Sequence, residues 1–239
     1  MATKNVIVDN KHFDISYEIV NPTAKKDIIF LHGWGSNKDI MKNVFSSYLK
    51  DFRHIYIDLP GFGKSLNNYV LTTQDYAKIV DEFLNLISSS KDIIAGHSYG
   101  GKVAVLLNPK NLVMLSSAGI LEEKPFDVKA KIFFAKVFNA LGLRGITKRF
   151  RSKDVNTMSE NMYATFKNVV NEDFSSYFSN FSNNALVFWG EKDTATSLES
   201  GKKMASLLKK STFTSYAGDH YFFAHNAKNI SERIENGIL

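Results

Sequence analysis

GHSYGG, residues 96–101, is the most informative motif of this 239-residue chain. It follows the apolar run Asp92-Ile-Ile-Ala95, which predicts a buried strand, and precedes residues 102–107, which lack Gly and Pro and predict a helix. A serine with glycines two positions before and two positions after it, on a turn from strand to helix, is typical of a nucleophile elbow. The glycines let the backbone bend tightly enough to expose the serine hydroxyl. The pattern therefore predicts that Ser98 is a nucleophile.

Strand and helix patterns alternate on both sides of this elbow. The chain opens with a predicted antiparallel hairpin that turns at Asp9-Asn10. Further strands are predicted at 27–31, 54–58, 91–95, 111–115, 185–189 and 212–216, and helices at 37–50, 72–87, 102–107 and 198–208, with a closing helix after residue 220. Alternation of this kind predicts an α/β fold in which helices cover both faces of a mostly parallel sheet.

Between residues 121 and 183 the strand patterns stop. Apolar stripes at helical spacing replace them, one at Phe133, Phe134, Val137, Phe138 and Leu141 and another at Met162, Phe166, Val169 and Val170. The segment predicts a helical cap, or lid, inserted into a core made of residues 1–120 and 184–239. Packing between helices explains such stripes, although Phe134 and Phe138 are also candidates for contact with a substrate.

Composition excludes several other classes of protein. The chain has no cysteine, which excludes disulfides, thiolate metal sites and a cysteine nucleophile. No apolar run approaches the roughly 20 residues that cross a bilayer, and the first residues carry no recognisable export signal, so a cytoplasmic location is expected. The glycines of DLPGFGKS, residues 58–65, lack the spacing of a dinucleotide fingerprint or a Walker motif, which disfavours nucleotide binding.

The residues with catalytic chemistry follow predicted strands. HGWG at 32–35, Ser98, Asp193 and His220 each lie just past one, and ligands gather at the carboxyl ends of the strands in open parallel sheets. A serine needs a nearby imidazole to take its proton, and a carboxylate to hold that imidazole in the right tautomer. The glycines beside Trp34 leave the backbone free to aim an N–H group at a developing oxyanion, although a turn alone explains such glycines.

Other residues compete for the roles of base and acid. His225 lies within the predicted closing helix and is better explained as a partly exposed helix residue. Asp219 adjoins His220 and Glu191 lies just before Asp193, so both are alternatives for the acid. Neighbouring loop residues usually point apart, so Asp219 is better explained as a residue that hydrogen-bonds the local backbone. Asp193 is therefore the favoured acid.

Together these motifs resemble those of the α/β-hydrolase fold family over nearly the whole chain. The resemblance is carried by HGWG at 32–35, DLPGFGKS at 58–65, GHSYGG at 96–101, WGEKD at 189–193 and GDH at 218–220. It implies an eight-stranded sheet, a helical lid, and an enzyme that needs neither metal nor cofactor. It also implies Ser98 as nucleophile, His220 as base, Asp193 as acid, and the backbone N–H groups of Trp34 and Tyr99 as the oxyanion hole.

Within this family the loops are most similar to those of carboxylesterases, such as the pimeloyl-acyl-carrier-protein methyl ester esterases. The resemblance implies cleavage of an ester through a Ser98–His220–Asp193 triad and an acyl-enzyme. Relatives that hydrolyse epoxides or carbon–halogen bonds carry an aspartate at the elbow, so Ser98 argues against both activities. Hydrolysis of a carbon–carbon bond by the same triad, and a non-catalytic small-molecule receptor on the same fold, stay open as alternatives.

Positive charge is concentrated in the first half of the predicted lid. Nine basic and three acidic residues lie between Glu122 and Lys153, a net +6 that equals the net charge of the whole chain. A solvated helical face is one explanation, and no nucleic-acid-binding motif accompanies the cluster. An acidic acyl carrier protein is the candidate partner, because positive charge at a pocket mouth speeds encounter and can hold a phosphate. Lys148, Arg149 and Arg151 are the candidate partner-binding residues.

Overall fold

A single sheet of eight strands organises the computed structural model, which describes residues 1–122 and 158–238. The strands are β1 (Ala2–Val8), β2 (Lys11–Val20), β3 (Lys26–Leu31), β4 (Phe52–Ile57), β5 (Ile93–His97), β6 (Asn111–Leu115), β7 (Asn184–Gly190) and β8 (Ser211–Tyr216). Their order across the sheet is β1-β2-β4-β3-β5-β6-β7-β8. The pairs β1-β2 and β2-β4 are antiparallel, and the other pairs are parallel. The predicted fold class is confirmed.

Seven helices lie within these two ranges. They are α1 (Lys38–Phe45), α2 (Thr73–Leu86), α3 (Tyr99–Leu106), α4 (Glu160–Val169), α5 (Ser175–Asn180), α6 (Leu198–Leu207) and α7 (Phe223–Ile238). Helix α2 begins as predicted, because Thr72 and Asp75 form a capping box. Each of these two side chains accepts a hydrogen bond from the backbone N–H of the other residue.

Helix α1 is shorter than the predicted range 37–50. Asn37 caps its start by accepting a hydrogen bond from the Asp39 N–H, but the helix ends at Phe45. Leu49 then adopts a positive φ of 50°, which no α-helix contains, although its side chain is only 1% exposed. The apolar spacing in this segment therefore indicates burial of the helix and also of the turn that follows it, and it did not mark where the helix ends.

Both faces of the sheet are buried, so the molecule has two apolar cores. In β3, Ile28 and Phe30 belong to one core and Ile29 and Leu31 to the other, because successive side chains of a strand point to opposite faces. Helices α1 and α7 cover the first of these cores, and α2, α3 and α6 cover the second. The loops at the carboxyl ends of the strands are therefore built on a base that is packed from both sides.

The predicted lid is described in part. Residues 158–183 contribute helices α4 and α5 and no strand. The candidate residues of the remaining part lie outside the described residues, namely Phe134, Phe138, Lys148, Arg149 and Arg151. The division into a core of residues 1–120 and 184–239 and a lid of residues 121–183 therefore stays a prediction. Among the helices of the two described ranges, none has the length and apolar character needed to cross a membrane.

Candidate active site

Ser98 lies on the turn between β5 and α3 in an unusual backbone conformation. Its φ of 50° and ψ of −118° lie in a region that residues other than glycine rarely adopt. The Ser98 N–H donates to the Leu115 carbonyl at 3.1 Å, and the Ser98 carbonyl accepts from the Ala118 N–H at 3.0 Å. Hydrogen bonds to β6 and to the residues after it therefore hold the strained serine at the carboxyl edge of the sheet.

Close packing explains why glycines flank this serine. A Cβ atom on Gly96 would lie 2.5 Å from the Gly100 carbonyl oxygen, and one on Gly100 would lie 2.4 Å from the Leu31 carbonyl oxygen. The neighbours in both cases are backbone atoms, so no side-chain movement relieves the contact. The elbow thus folds back on itself and presses against the end of β3.

His220 and Asp193 form a direct hydrogen bond. The distance from His220 Nδ1 to Asp193 Oδ2 is 2.7 Å. An ionised carboxylate can only accept, so Nδ1 carries the proton and Nε2 is left as an acceptor. The other carboxylate oxygen, Oδ1, accepts from the backbone N–H groups of Ala195 at 2.8 Å and Thr196 at 3.0 Å. The carboxylate is therefore fixed in orientation, and it fixes the imidazole in turn.

The Asp193 carboxylate is buried and charged. Its side chain has 0% exposure, whereas that of His220 is 16% exposed. Burial opposes ionisation, but the hydrogen bonds from His220 and Thr196 outweigh it and lower the pKa of Asp193 to about 2. At neutral pH the carboxylate can therefore orient the imidazole and stabilise an imidazolium.

The alternative acids and base have other surroundings. Asp219 is exposed, and its Oδ1 accepts from the Tyr221 N–H at 2.8 Å, so it stabilises its own turn. Glu191 is exposed and accepts from the Ser215 hydroxyl at 2.9 Å. His225 is exposed on α7. The structure brings His220 to the favoured acid, Asp193, and to neither alternative.

The loop that follows β3 lies against the elbow. A Cβ atom on Gly33 would lie 3.0 Å from the Ser98 Cβ, and the Trp34 ring packs edge-on against the Tyr99 ring at 5.4 Å. Within residues 1–122 and 158–238, the backbone N–H groups of Trp34 and Tyr99 donate no hydrogen bond. The Tyr99 N–H also belongs to the first turn of α3, at the positive end of the helix dipole. The Trp34 and Tyr99 amides therefore stay the predicted donors to an oxyanion beside Ser98.

Two buried polar contacts hold this loop in place. His32 is fully buried, and its Nδ1 donates to the Gly33 carbonyl at 2.8 Å while its Nε2 accepts from the Leu59 N–H at 3.0 Å. Burial lowers the pKa of His32 to about 4, so the ring is neutral. Asp58, also fully buried, pairs with Lys38 Nζ at 2.6 Å and accepts from the Lys38 N–H at 2.8 Å. The HGWG loop is thus tied to the DLPGFGKS loop.

His97 also belongs to the candidate site, although no sequence pattern indicated it. Its ring lies 4.6 Å from the His220 ring, and its Nε2 lies 3.1 Å from the His220 carbonyl oxygen. A carbonyl oxygen only accepts, so the proton is on Nε2 of His97. Burial lowers the pKa of His97 to about 3, and the ring stays neutral. The sequence signal for His97 is its position directly before Ser98. It is the last residue of β5, so its side chain lies where the loops at the carboxyl edge of the sheet meet.

A cavity of about 430 Å³ opens beside Ser98. Its apolar wall includes Trp34, Ile120, Phe166 and Val169, and its charged residues are Lys102, Glu122 and Glu172. A larger cavity of about 810 Å³ lies beside the first residues of β7 and β8, at the opposite edge of the sheet. Catalytic groups gather at the carboxyl ends of the strands, so the smaller cavity is the candidate substrate pocket. In the described parts of the chain, no group of three His, Cys, Asp or Glu residues is placed to hold a metal ion.

Comparison with known proteins gives the family. A model described as the alpha/beta hydrolase family matches residues 28–227, and the chain belongs to this family. The predicted family, fold and class of enzyme are confirmed: the chain is a hydrolase.

Individual relatives differ in how much of the chain they match. The uncharacterized hydrolase YugF of Bacillus subtilis (strain 168) is 23% identical over an alignment of 257 positions, gaps included, that covers 94% of each chain. A pimeloyl-[acyl-carrier protein] methyl ester esterase of Proteus mirabilis (strain HI4320) is 35% identical over 92 residues, which cover 37% of this chain and 34% of that relative. Among solved structures, the esterase EaEST from Exiguobacterium antarcticum has a TM-score of 0.77 at 18% identity and covers 99% of both chains. This last similarity shows a shared fold.

Proposed function

We propose that the protein is a carboxylesterase that uses Ser98, His220 and Asp193 as a catalytic triad. The observation that carries the proposal is the 2.7 Å hydrogen bond between His220 and the buried, charged Asp193, at the same sheet edge as the strained Ser98. The similarity to an acyl-carrier-protein methyl ester esterase supports an ester as the substrate class.

The proposed reaction has two halves. Ser98 Oγ attacks the ester carbonyl carbon while His220 Nε2 takes the hydroxyl proton, and the resulting oxyanion accepts hydrogen bonds from the Trp34 and Tyr99 amides. His220 then returns the proton to the departing alcohol oxygen, which leaves an acyl-enzyme on Ser98. Water attacks this acyl-enzyme with His220 again as base, and the carboxylic acid is released. Asp193 keeps its charge throughout and stabilises the imidazolium that forms in each half.

Substitution of the nucleophile tests this proposal. Ser98→Ala should remain folded and lose several orders of magnitude in p-nitrophenyl acetate turnover, because the members of a triad act as a unit. The matched control is Ser206→Ala, since Ser206 is an exposed serine on α6 and should keep full activity. A serine-directed phosphonate should label the wild type and Ser206→Ala but not Ser98→Ala. Labelling of Ser98→Ala, or a wild type that turns over no ester, would overturn the assignment.

For the physiological substrate, we propose an acyl group carried on an acidic acyl carrier protein. The net +6 of residues 122–153 and the similarity to a pimeloyl-[acyl-carrier protein] methyl ester esterase support this partner. Replacing Lys148, Arg149 and Arg151 together by Glu should lower kcat/KM for a carrier-linked ester and leave p-nitrophenyl acetate turnover nearly unchanged.

A charge-matched control separates local from global effects of this triple variant. Replacing the exposed lysines Lys203, Lys209 and Lys210 by Glu changes the net charge of the protein equally. This control should retain most of the carrier-linked rate, and the wild-type rate should fall as salt is added. Equal rates for the wild type and the Lys148/Arg149/Arg151 variant on the carrier-linked ester at low salt would refute the proposed partner.

A further inference from the structure

Lys102 is a buried lysine one helical turn after Ser98. Its side chain is 2% exposed, and its Nζ lies 2.6 Å from the Val169 carbonyl oxygen and 2.7 Å from Glu172 Oε2. The Nζ atom also lies 4.7 Å from the centre of the Phe174 ring. Lys102 therefore connects α3, which begins at the elbow, with the end of α4 and the residues that follow it.

A charged residue at this position is unusual for its surroundings. The neighbouring α3 residues Val103, Ala104 and Val105 are buried and apolar, and a leucine or methionine would suit the same environment. Burial of an ammonium is expensive unless it is paired and hydrogen-bonded. Burial lowers the pKa of Lys102, and the Glu172 carboxylate opposes that shift. Packing alone therefore does not explain the choice of lysine.

The hydrogen bonds of this ammonium use two of its three donors. Lysine carries three N–H groups, and Val169 and Glu172 accept from two of them. Within the described residues the third N–H has no oxygen or nitrogen acceptor, although the Nζ also lies 4.7 Å and 5.7 Å from the centres of the Phe174 and Tyr99 rings, and Lys102 lines the same 430 Å³ cavity as Ser98. The pair with Glu172 has no net charge, so it favours a neutral oxygen acceptor over a carboxylate, which Glu172 would repel.

The distance from Ser98 suits the acyl side of an ester. Ser98 and Lys102 are four positions apart, and the rise of about 1.5 Å per helical residue separates their Cα atoms by about 6 Å along the axis. The wall near them is apolar, with Trp34, Phe166 and Val169, and accommodates methylene groups. Both residues line the same cavity, so an acyl chain bound to Ser98 by its carbonyl carbon can extend through it toward Lys102.

We propose that Lys102 is a specificity-determining residue that donates a hydrogen bond to a neutral oxygen, such as a ketone or ether oxygen, within the acyl group of the substrate. This inference rests on the proposed esterase function, because it places the acyl group in the cavity beside Ser98. It adds the chemical class of the acyl group, which the triad alone does not define.

Matched p-nitrophenyl esters test the inference. The wild type should hydrolyse the 5-oxohexanoate with a kcat/KM about tenfold above that of the hexanoate, as expected for one hydrogen bond to a charged donor. It should also prefer the 5-oxohexanoate to an ester with a terminal carboxylate. In Lys102→Met the ratio of 5-oxohexanoate to hexanoate should fall to about one. This ratio is independent of the amount of folded enzyme, so a loss of stability does not change it.

Two further variants keep the test interpretable. If Lys102→Met folds poorly, the double variant Lys102→Met/Glu172→Gln replaces it, because it removes both charges together. It should lose the same preference for the 5-oxohexanoate. Lys110→Met is the matched control, because Lys110 is 68% exposed just after α3, and it should keep the wild-type ratio. A wild type with equal rates on both esters, a best rate on the carboxylate ester, or an unchanged ratio in Lys102→Met overturns the inference. A protein that hydrolyses no ester and takes no phosphonate label contradicts the proposed function instead.

Discussion

Replacement of Asp193 by asparagine is the sharpest test of the proposed triad. We expect Asp193→Asn to reduce kcat by about 10⁴-fold, the loss that follows when a triad aspartate is changed to asparagine elsewhere, or about 5.5 kcal/mol of transition-state stabilisation. The adjacent candidate supplies the control: Asp219→Asn should stay within about threefold of wild type, because the exposed Asp219 hydrogen-bonds the N–H of Tyr221 in its own turn.

The hydrogen bonds of Asp193 explain why the loss should be so large. Its Oδ1 accepts from two backbone N–H groups, those of Ala195 and Thr196. In Asp193→Asn the amide oxygen must occupy this position, because an NH₂ group cannot accept from those donors. The NH₂ group then faces His220 Nδ1 and donates to it, which moves the ring proton to Nε2. An imidazole with its proton on Nε2 cannot take the proton of Ser98.

The assay is steady-state hydrolysis of p-nitrophenyl acetate, normalised to folded protein by circular dichroism. Because the proposed cause is the wrong tautomer and not misfolding, Asp193→Asn should have a native circular dichroism spectrum at the assay temperature together with the low kcat, although it should unfold at a lower temperature than the wild type. Similar activities for Asp193→Asn and wild type, or a larger loss in Asp219→Asn, would show that the acid has been misassigned.

Two predictions concern stability. Folding lowers the pKa of Asp193 from 3.8 to about 2, so its charge stabilises the protein above pH 4 and that contribution is lost as the pH falls to 2. In urea unfolding, the difference in stability between wild type and Asp193→Asn should therefore shrink by about 2 kcal/mol between pH 5 and pH 2, and a constant difference would contradict this. Asp58→Asn should lower the free energy of unfolding by about 3 to 5 kcal/mol, because it leaves the buried Lys38 ammonium without its counter-ion. Lys78→Met, which removes a pair whose partners are both more than half exposed, should change it by less than about 0.5 kcal/mol.

Features that depend on neighbouring residues could be predicted from the sequence. The hairpin turn is an example: Asp9 and Asn10 both adopt a positive φ, a conformation that these residue types tolerate well. The elbow is another, because a Cβ atom on Gly96 would meet the backbone of Gly100 and Gly101, only four and five residues further along the chain. In both cases the local sequence contains nearly all of the physical information that sets the backbone.

Features that depend on distant partners could not be predicted. Lys102 belongs to a helix whose other residues indicate its burial, but the carboxylate that pairs with it, Glu172, comes from a segment after α4. His97 binds the carbonyl of His220, which is supplied by a loop at the far end of the chain. Hydrophobic periodicity indicates which side chains are buried, but it does not indicate which polar groups those side chains will contact.

Asp58 and Asp193 are both aspartates that follow a strand, but their hydrogen-bond partners give them different roles. Asp58 follows β4 and Asp193 follows β7, and both carboxylates are buried and charged. Asp58 accepts from the Lys38 ammonium and from the N–H groups of Lys38 and Lys64, so all of its donors are permanent protein groups. Asp193 Oδ1 accepts from backbone amides, and its Oδ2 accepts from the Thr196 hydroxyl and from an imidazole that can gain and lose a proton. The first arrangement can only hold two loops together. The second can also stabilise a charge that appears during a reaction, and for this reason we assign the proposed catalytic role to Asp193.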